Sequence, residues 1–136
     1  MGGGVLILLD TCVLVFDALA PERLSAGALR AIEEGEENGS LVCCDISLWE
    51  IAMLIAKWRL DPGTDTLSFL KLVLASRAIR PLPITPEIAK ISAIDALFAH
   101  HDPADRIIAA TALHYEKPLV TCDEALQAVK GLKIIW

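Results

Sequence analysis

"VLILLD", Val5–Asp10, is the stretch that decides the fold. Five consecutive aliphatic residues end abruptly at an aspartate and a threonine. A run this short and this uniformly apolar fits a strand buried on both faces, as in parallel sheets covered by helices. Burying the acid that closes it is costly unless something pairs with the carboxyl, so Asp10 marks a site as well as a strand end. Two later stretches repeat the pattern, "SLVCCD" (Ser40–Asp45) and "LVTCD" (Leu119–Asp123). "LKIIW" gives a last strand and "IRPLPIT" a short extended segment.

Helical stretches fill the intervals. One runs from about Val13 to Leu19 and stops at Pro21. "PERLSAGALRAIEEGEENG" is predicted as a single helix with Pro21 in its first turn and its end at Asn38-Gly39. In "SLWEIAMLIAKWRL", Ser47 and Glu50 have the spacing of a capping box, which places Ser47 at the N-cap and Glu50 at N3. That helix ends at the turn Asp61–Gly63, and "TDTLSFLKLVLAS" is another. Thr85 and Pro86 open "PEIAKISAIDALFAHH" as N-cap and N1 of one helix. In "HHDPADRIIAATAL", Asp102 is the N-cap, Pro103 N1 and Asp105 N3 of a helix reaching about Tyr115. "EALQAVK" is short, with Gly131 at its C′ end. The alternation predicts an α/β protein: a three-layer α/β/α sandwich on a central, mainly parallel sheet, with residues 1–136 as one domain.

Composition narrows the function. The chain is 54% hydrophobic but only 5% aromatic, so its core is aliphatic, and a mean hydropathy of +0.52 points to an additional buried partner interface. No apolar run approaches the roughly 18 residues that span a bilayer, and "MGGG" lacks a basic n-region and a long apolar segment, so a cytoplasmic protein without membrane contact is expected. Cys12, Cys43, Cys44 and Cys122 form no C-x-x-C pair and read as reduced thiols. A net charge of −6 argues against a protein that coats nucleic acid with basic residues, though not against an enzyme that meets phosphate through bound cations.

Four acids share one kind of address. Asp10 and Asp123 end strands, while Glu50 and Asp105 lie in first helical turns. In an open parallel sheet, the carboxyl ends of strands and the N-termini of the following helices face one crevice. Capping and the helix dipole account for Asp102, Asp105 and Glu50 singly, and a turn accounts for Asp123. The repetition at one end of the sheet is the signal. Carboxylates gathered there repel one another unless cations sit among them, and Mg²⁺ or Mn²⁺ suits oxygen donors. Such a pair of ions can activate water and stabilise a leaving oxygen in phosphodiester cleavage.

"LLDTCVLV", "SLWEIAML", "DPADRIIAATAL" and "LVTCDEAL", in this order from about Val5 to Trp136, resemble the PIN-domain family and in particular its VapC-type toxin ribonucleases. The resemblance implies a metal-dependent endoribonuclease that hydrolyses RNA, the toxin of a type II toxin–antitoxin pair, with a small antitoxin protein as partner and a homodimeric state. It assigns catalysis and Mg²⁺ or Mn²⁺ binding to Asp10, Glu50, Asp105 and Asp123, with Thr11, Thr121, Asp102 and Arg106 in support. Cys12 and Cys122 stand where the family often has small polar residues, so a soft ligand there could alter metal preference or oxidative sensitivity. His100 and His101 lie outside the family's catalytic elements and are expected to be exposed helix-end residues. Lys57, Arg59, Arg77, Arg80 and Arg106 are candidates for secondary phosphate contacts, and Trp58 with the helices between Ser47 and Ser76 for the dimer interface.

Three other readings compete. An aspartyl-phosphate enzyme of the haloacid-dehalogenase type needs a second Asp where Cys12 stands. A response-regulator receiver needs an acidic pair near the end of strand one and a lysine after the last main strand, and this chain has neither. A catalytically silent PIN-like scaffold is the third, against which the four acids argue.

Overall fold

The structure, a computed structural model, describes residues 5–98 and 101–136. Strand β1 (Ile7–Leu9) is central, as its apolar run requires. It pairs on one side with β2 (Leu41–Cys44), which pairs in turn with β3 (Arg80–Leu82). On its other side it pairs with β4 (Leu119–Val120), and β4 with β5 (Ile134–Ile135). The order is β3-β2-β1-β4-β5 and every pairing is parallel. Chain order therefore reverses direction between β1 and β4, the place where open α/β sheets form their crevices.

Alternation along the strands divides the core into two. Leu9, Leu41, Cys43 and Val120 face a layer built from α1 (Thr11–Leu19), α2 (Ala26–Asn38) and α4 (Thr66–Ala75), packing on Val13, Leu14, Ile32, Phe69 and Val73. Leu8, Val42, Cys44 and Leu119 face the other layer, with Ile108, Ala109 and Ala112 of α7 (Pro103–Tyr115) and Phe98 of the short α6 (Asp95–Phe98). These are the three layers of an α/β/α sandwich. α3 (Ile46–Ala56) joins the sheet's carboxyl end, giving Ile51 to the first core and Ile46 to the second. Close approach sets Gly35: a Cβ there would lie 2.4 Å from Leu41 Cδ2, so α2 could not press on β2 with a larger residue.

Local physics moved several expected boundaries. Pro21–Arg23 is a separate 3₁₀ turn, and α2 starts only after Ser25, whose hydroxyl caps Ala28 N. The helix after Thr85 is broken: α5 (Pro86–Ser92) ends before α6, and residues 99 and 100 lie outside the described set. α3 begins two residues earlier than expected, with Asp45 at its N-cap and no side-chain cap bond. Ser47 and Glu50 therefore form no capping box, and both are used elsewhere. By contrast, the Asp102–Pro103–Asp105 start of α7 is as read from sequence, with Asp102 Oδ1 accepting from Asp105 N at 3.0 Å. α8 (Glu124–Gln127) lies between β4 and β5. No helix among the described residues is long and apolar enough to cross a membrane.

Candidate active site

Asp10 leaves β1 and becomes the N-cap of α1, so its carboxyl is built into the backbone. One oxygen, Oδ1, accepts from Thr11 N at 2.8 Å. The other accepts from Thr121 Oγ1 at 2.7 Å, across the reversal of strand order, and from Cys12 Sγ at 3.5 Å. The side chain is almost wholly buried (4% exposed), and burial raises its pKa against the pull of those donors. Thr121 also accepts from Asp123 N at 3.0 Å, so one hydroxyl ties two of the sequence-marked acids together.

Thr11 does the same for the neighbouring helix. Its Oγ1 lies 2.5 Å from Glu50 Oε1 and 2.9 Å from Ser47 Oγ. With a single hydroxyl proton, Thr11 donates to the carboxylate and accepts from Ser47. Ser47 is thus a fully buried positioning residue that the sequence marked only as a cap. The signal was the S-x-x-E spacing itself, which in an established helix puts both side chains on one face. Burial raises the Glu50 pKa, the Thr11 bond lowers it, and the charges of Asp10 and Asp102 raise it again.

The most compact acidic group consists of Glu50, Asp102 and Asp105, whose ligand oxygens all lie within 4.8 Å of one another. Asp102 was expected to cap and support; it does cap α7, and it also stands among the acids. Asp105 is half-buried, and its pKa is pushed up to about 8, first by burial and then by Asp102, Asp10 and Asp123. Asp10, Glu50, Asp102, Asp105 and Asp123 all line one crevice of about 460 Å³. Among the described residues no ion pair involves any of the five. A cluster of hard oxygen donors with no internal cation fits Mg²⁺ or Mn²⁺ far better than a soft metal.

The rim of the crevice is mixed. Phe16 lies under the Arg23 guanidinium, 4.2 Å from the ring centre, and Arg59, Leu54 and Leu60 complete that side. Cys12 and Cys122 also face it, their sulfurs 3.6 Å apart as free thiols, and burial pushes the Cys12 thiol upward.

Other candidates are placed elsewhere. Arg106 turns away from the crevice, its Nε donating to Ser92 O at 2.7 Å and its Nη2 to Asp95 at 2.9 Å. It fastens α7 to the α5–α6 connection. Arg77 is held by Asp17 and Glu36, while Arg80 sits on β3. His100 is outside the described residues. His101 is half-buried, not an exposed helix end: its Nε2 is 2.9 Å from Ala125 O and its ring meets Phe98 edge-on, so it pins the segment before α7 to α8.

Comparison with known proteins agrees with the fold. The PIN domain profile matches residues 7–132. The chain is 34% identical over 122 residues to Ribonuclease VapC22 of Mycobacterium tuberculosis, covering 90% of both sequences. Its fold resembles a chain of VapBC2 from Rickettsia felis solved with a promoter DNA fragment, with a TM-score of 0.72 at 15% identity over 95% of this chain and 96% of that one. A toxin–antitoxin complex from Klebsiella pneumoniae gives 0.60 at 19% identity, covering 93% and 94%, and FitAB bound to a DNA fragment gives 0.58 at 21%, covering 95% and 93%. The fold, the profile and the VapC relative together establish that this chain belongs to the PIN-domain family, as a protein of the VapC type.

Proposed function

We propose that this protein is a metal-dependent endoribonuclease that hydrolyses RNA phosphodiester bonds, acting in the cytoplasm as the toxin of a type II toxin–antitoxin pair. The observation that carries the reading is the convergence of five carboxylates on one crevice, none of them ion-paired among the described residues. The similarity to an M. tuberculosis ribonuclease supports the reaction class, and the likeness to a chain of a K. pneumoniae toxin–antitoxin complex supports the partner.

Glu50, Asp102 and Asp105 would hold Mg²⁺ or Mn²⁺, with Asp10 and Asp123 completing the anionic wall. A bound divalent ion supplies Lewis-acid activation of water and offsets the charge that builds on the phosphate. The protein's own work is positioning. Thr121 holds Asp10, and Thr11 with Ser47 holds Glu50, so the acids face the crevice in fixed orientations before RNA arrives. Asp105 retains its proton near neutrality in the ligand-free protein and must release it to bind a cation, which couples loading of the site to pH. Arg23 and Arg59 on the rim offer the phosphate backbone a counter-charge.

The test is Mn²⁺-dependent cleavage of an RNA panel by the wild type, alongside calorimetric titration with Mn²⁺. Cleavage together with Mn²⁺ binding is the expected result. A folded chain that binds no Mn²⁺ and cuts no RNA would instead be a silent scaffold. A small DNA-binding antitoxin is the partner of this reading, and a second copy of the chain its oligomeric partner. Co-expression with the upstream reading frame and sedimentation test these two points.

A further inference from the structure

The crevice does not stop at the carboxylates. It continues along α3 as a groove of about 380 Å³ lined by Trp49, Met53, Lys57, Arg59 and Pro103. Glu50, Leu54, Arg59 and Asp102 line both spaces, so the groove opens directly onto the acidic cluster. Trp49, Met53 and Lys57 are spaced at i, i+4 and i+8, forming a stripe beside the Glu50–Leu54 stripe. The arrangement is unusual for so aliphatic a protein: an indole that is 57% exposed shares a groove with Lys57 and Arg59, both exposed, in a chain of net charge −6.

An exposed ring in one groove with two cations matches the two demands of single-stranded nucleic acid, a π-face for the base and positive charge for the backbone. A helix from a protein partner would be better served by a continuous apolar face, whereas here Lys57 and Arg59 stand on the groove's walls. We infer that this groove is the subsite for a nucleobase flanking the scissile phosphate, with Trp49 stacking on the base and Lys57 and Arg59 meeting the adjoining phosphates. The assignment rests on the ribonuclease reading and extends it: the acids set where the chain is cut, and Trp49 helps hold the neighbouring nucleotide.

The test uses an end-labelled RNA oligonucleotide that the wild type cleaves with Mn²⁺ at a mapped position. Trp49→Ala is expected to raise KM about 5- to 150-fold, the range for loss of one base–aromatic stack, with kcat nearly unchanged. Trp49→Phe should stay close to the wild type, because a smaller aromatic face remains. Thermal melting of both variants checks the fold, which an exposed side chain should leave intact. An RNA made abasic beside the cleavage site, on each side in turn, should on one side cost the wild type a similar factor and cost Trp49→Ala little more. An unchanged KM for Trp49→Ala alongside an active wild type would overturn the subsite alone. So would a Trp49→Ala variant that loses affinity for a co-expressed antitoxin yet keeps its KM for RNA, which would hand the groove to the protein partner. If the wild type itself neither binds nor cleaves any RNA, the ribonuclease reading falls and takes the subsite with it.

Discussion

Near the C-terminal end of α4, Arg77 sits between two acids, its Nε 2.9 and 3.0 Å from the oxygens of Asp17 and its Nη1 3.0 Å from Glu36. At the carboxyl end of the sheet, five acids share a crevice whose arginines, Arg23 and Arg59, stay on its rim, and among the described residues none of the five is ion-paired. The ingredients are the same and the provision is opposite. Where carboxylates serve the fold, the chain supplies a guanidinium, and the Asp17 side chain can be almost buried (7% exposed) beside it. In the crevice it supplies hydroxyls and backbone N–H groups, which orient carboxylates without neutralising them. The difference separates an interaction completed by folding from one left for a ligand to complete.

The largest effect should come from the uncompensated set. Asp105→Asn is expected to lower the Mn²⁺-dependent cleavage rate by on the order of 10²–10³-fold, the loss typical of removing one preorganised electrostatic group. Single-turnover assays at saturating RNA would measure it, and parental rates would show that the crevice is not the reacting site. Next, Mn²⁺ at 100 times its Kd should stabilise the wild type by about 2.7 kcal/mol in urea melts, and Asp105→Asn should forfeit most of that gain. For the compensated set, Arg77→Ala should cost about 2 kcal/mol of stability, because Asp17 is left buried without its partner, while cleavage stays at the wild-type rate. A variant that lost activity instead would collapse the distinction between the two regions.

The smallest effect separates them by pH. Asp105 holds its proton up to about pH 8 in the folded chain, against an ordinary value of 3.8. Its contribution to stability is thus fully present below the unfolded value and is lost as pH rises through about 8. Asp10 and Glu50 are raised too and act in the same direction. The metal-free protein should therefore melt at a lower temperature at pH 8 than at pH 5.5. Asp105→Asn should flatten that slope, and Mn²⁺ should reverse it.

Much of this was legible in the sequence, for identifiable reasons. Runs such as Val5–Leu9 and Leu41–Cys44 are apolar on both faces, and only a covered parallel sheet satisfies that, so the layers followed directly. The start of α7 was equally plain, because Asp102, Pro103 and Asp105 act locally. What escaped depended on contacts between distant segments. Ser47 fits a cap by spacing, and only the arrival of Thr11 from α1, 36 residues earlier in the chain, shows that it braces Glu50 instead. Arg106 belongs to the same motif as Asp105, yet Ser92 and Asp95 draw it to the other side of α7. Asp102 looked fully occupied as a cap. A carboxylate has two oxygens, however, and one oxygen suffices for the cap.

The double duty of Asp10 bears on how this kind of protein ages in evolution. Because its side chain caps α1 and receives Thr121 from the far side of the sheet, folding alone confines position 10 to aspartate or asparagine, whatever becomes of the activity. Asp102 is under no such restraint, since serine, threonine or asparagine would keep the α7 cap, and Asp105 contributes no cap of its own. Descendants released from selection for cleavage should therefore lose the acids at 105 and 102 first and go on carrying a residue at 10 that still looks intact. In a genome survey, a surviving aspartate or asparagine at the end of β1 would testify to the fold, and the acids at the start of α7 would tell a working nuclease from its relic.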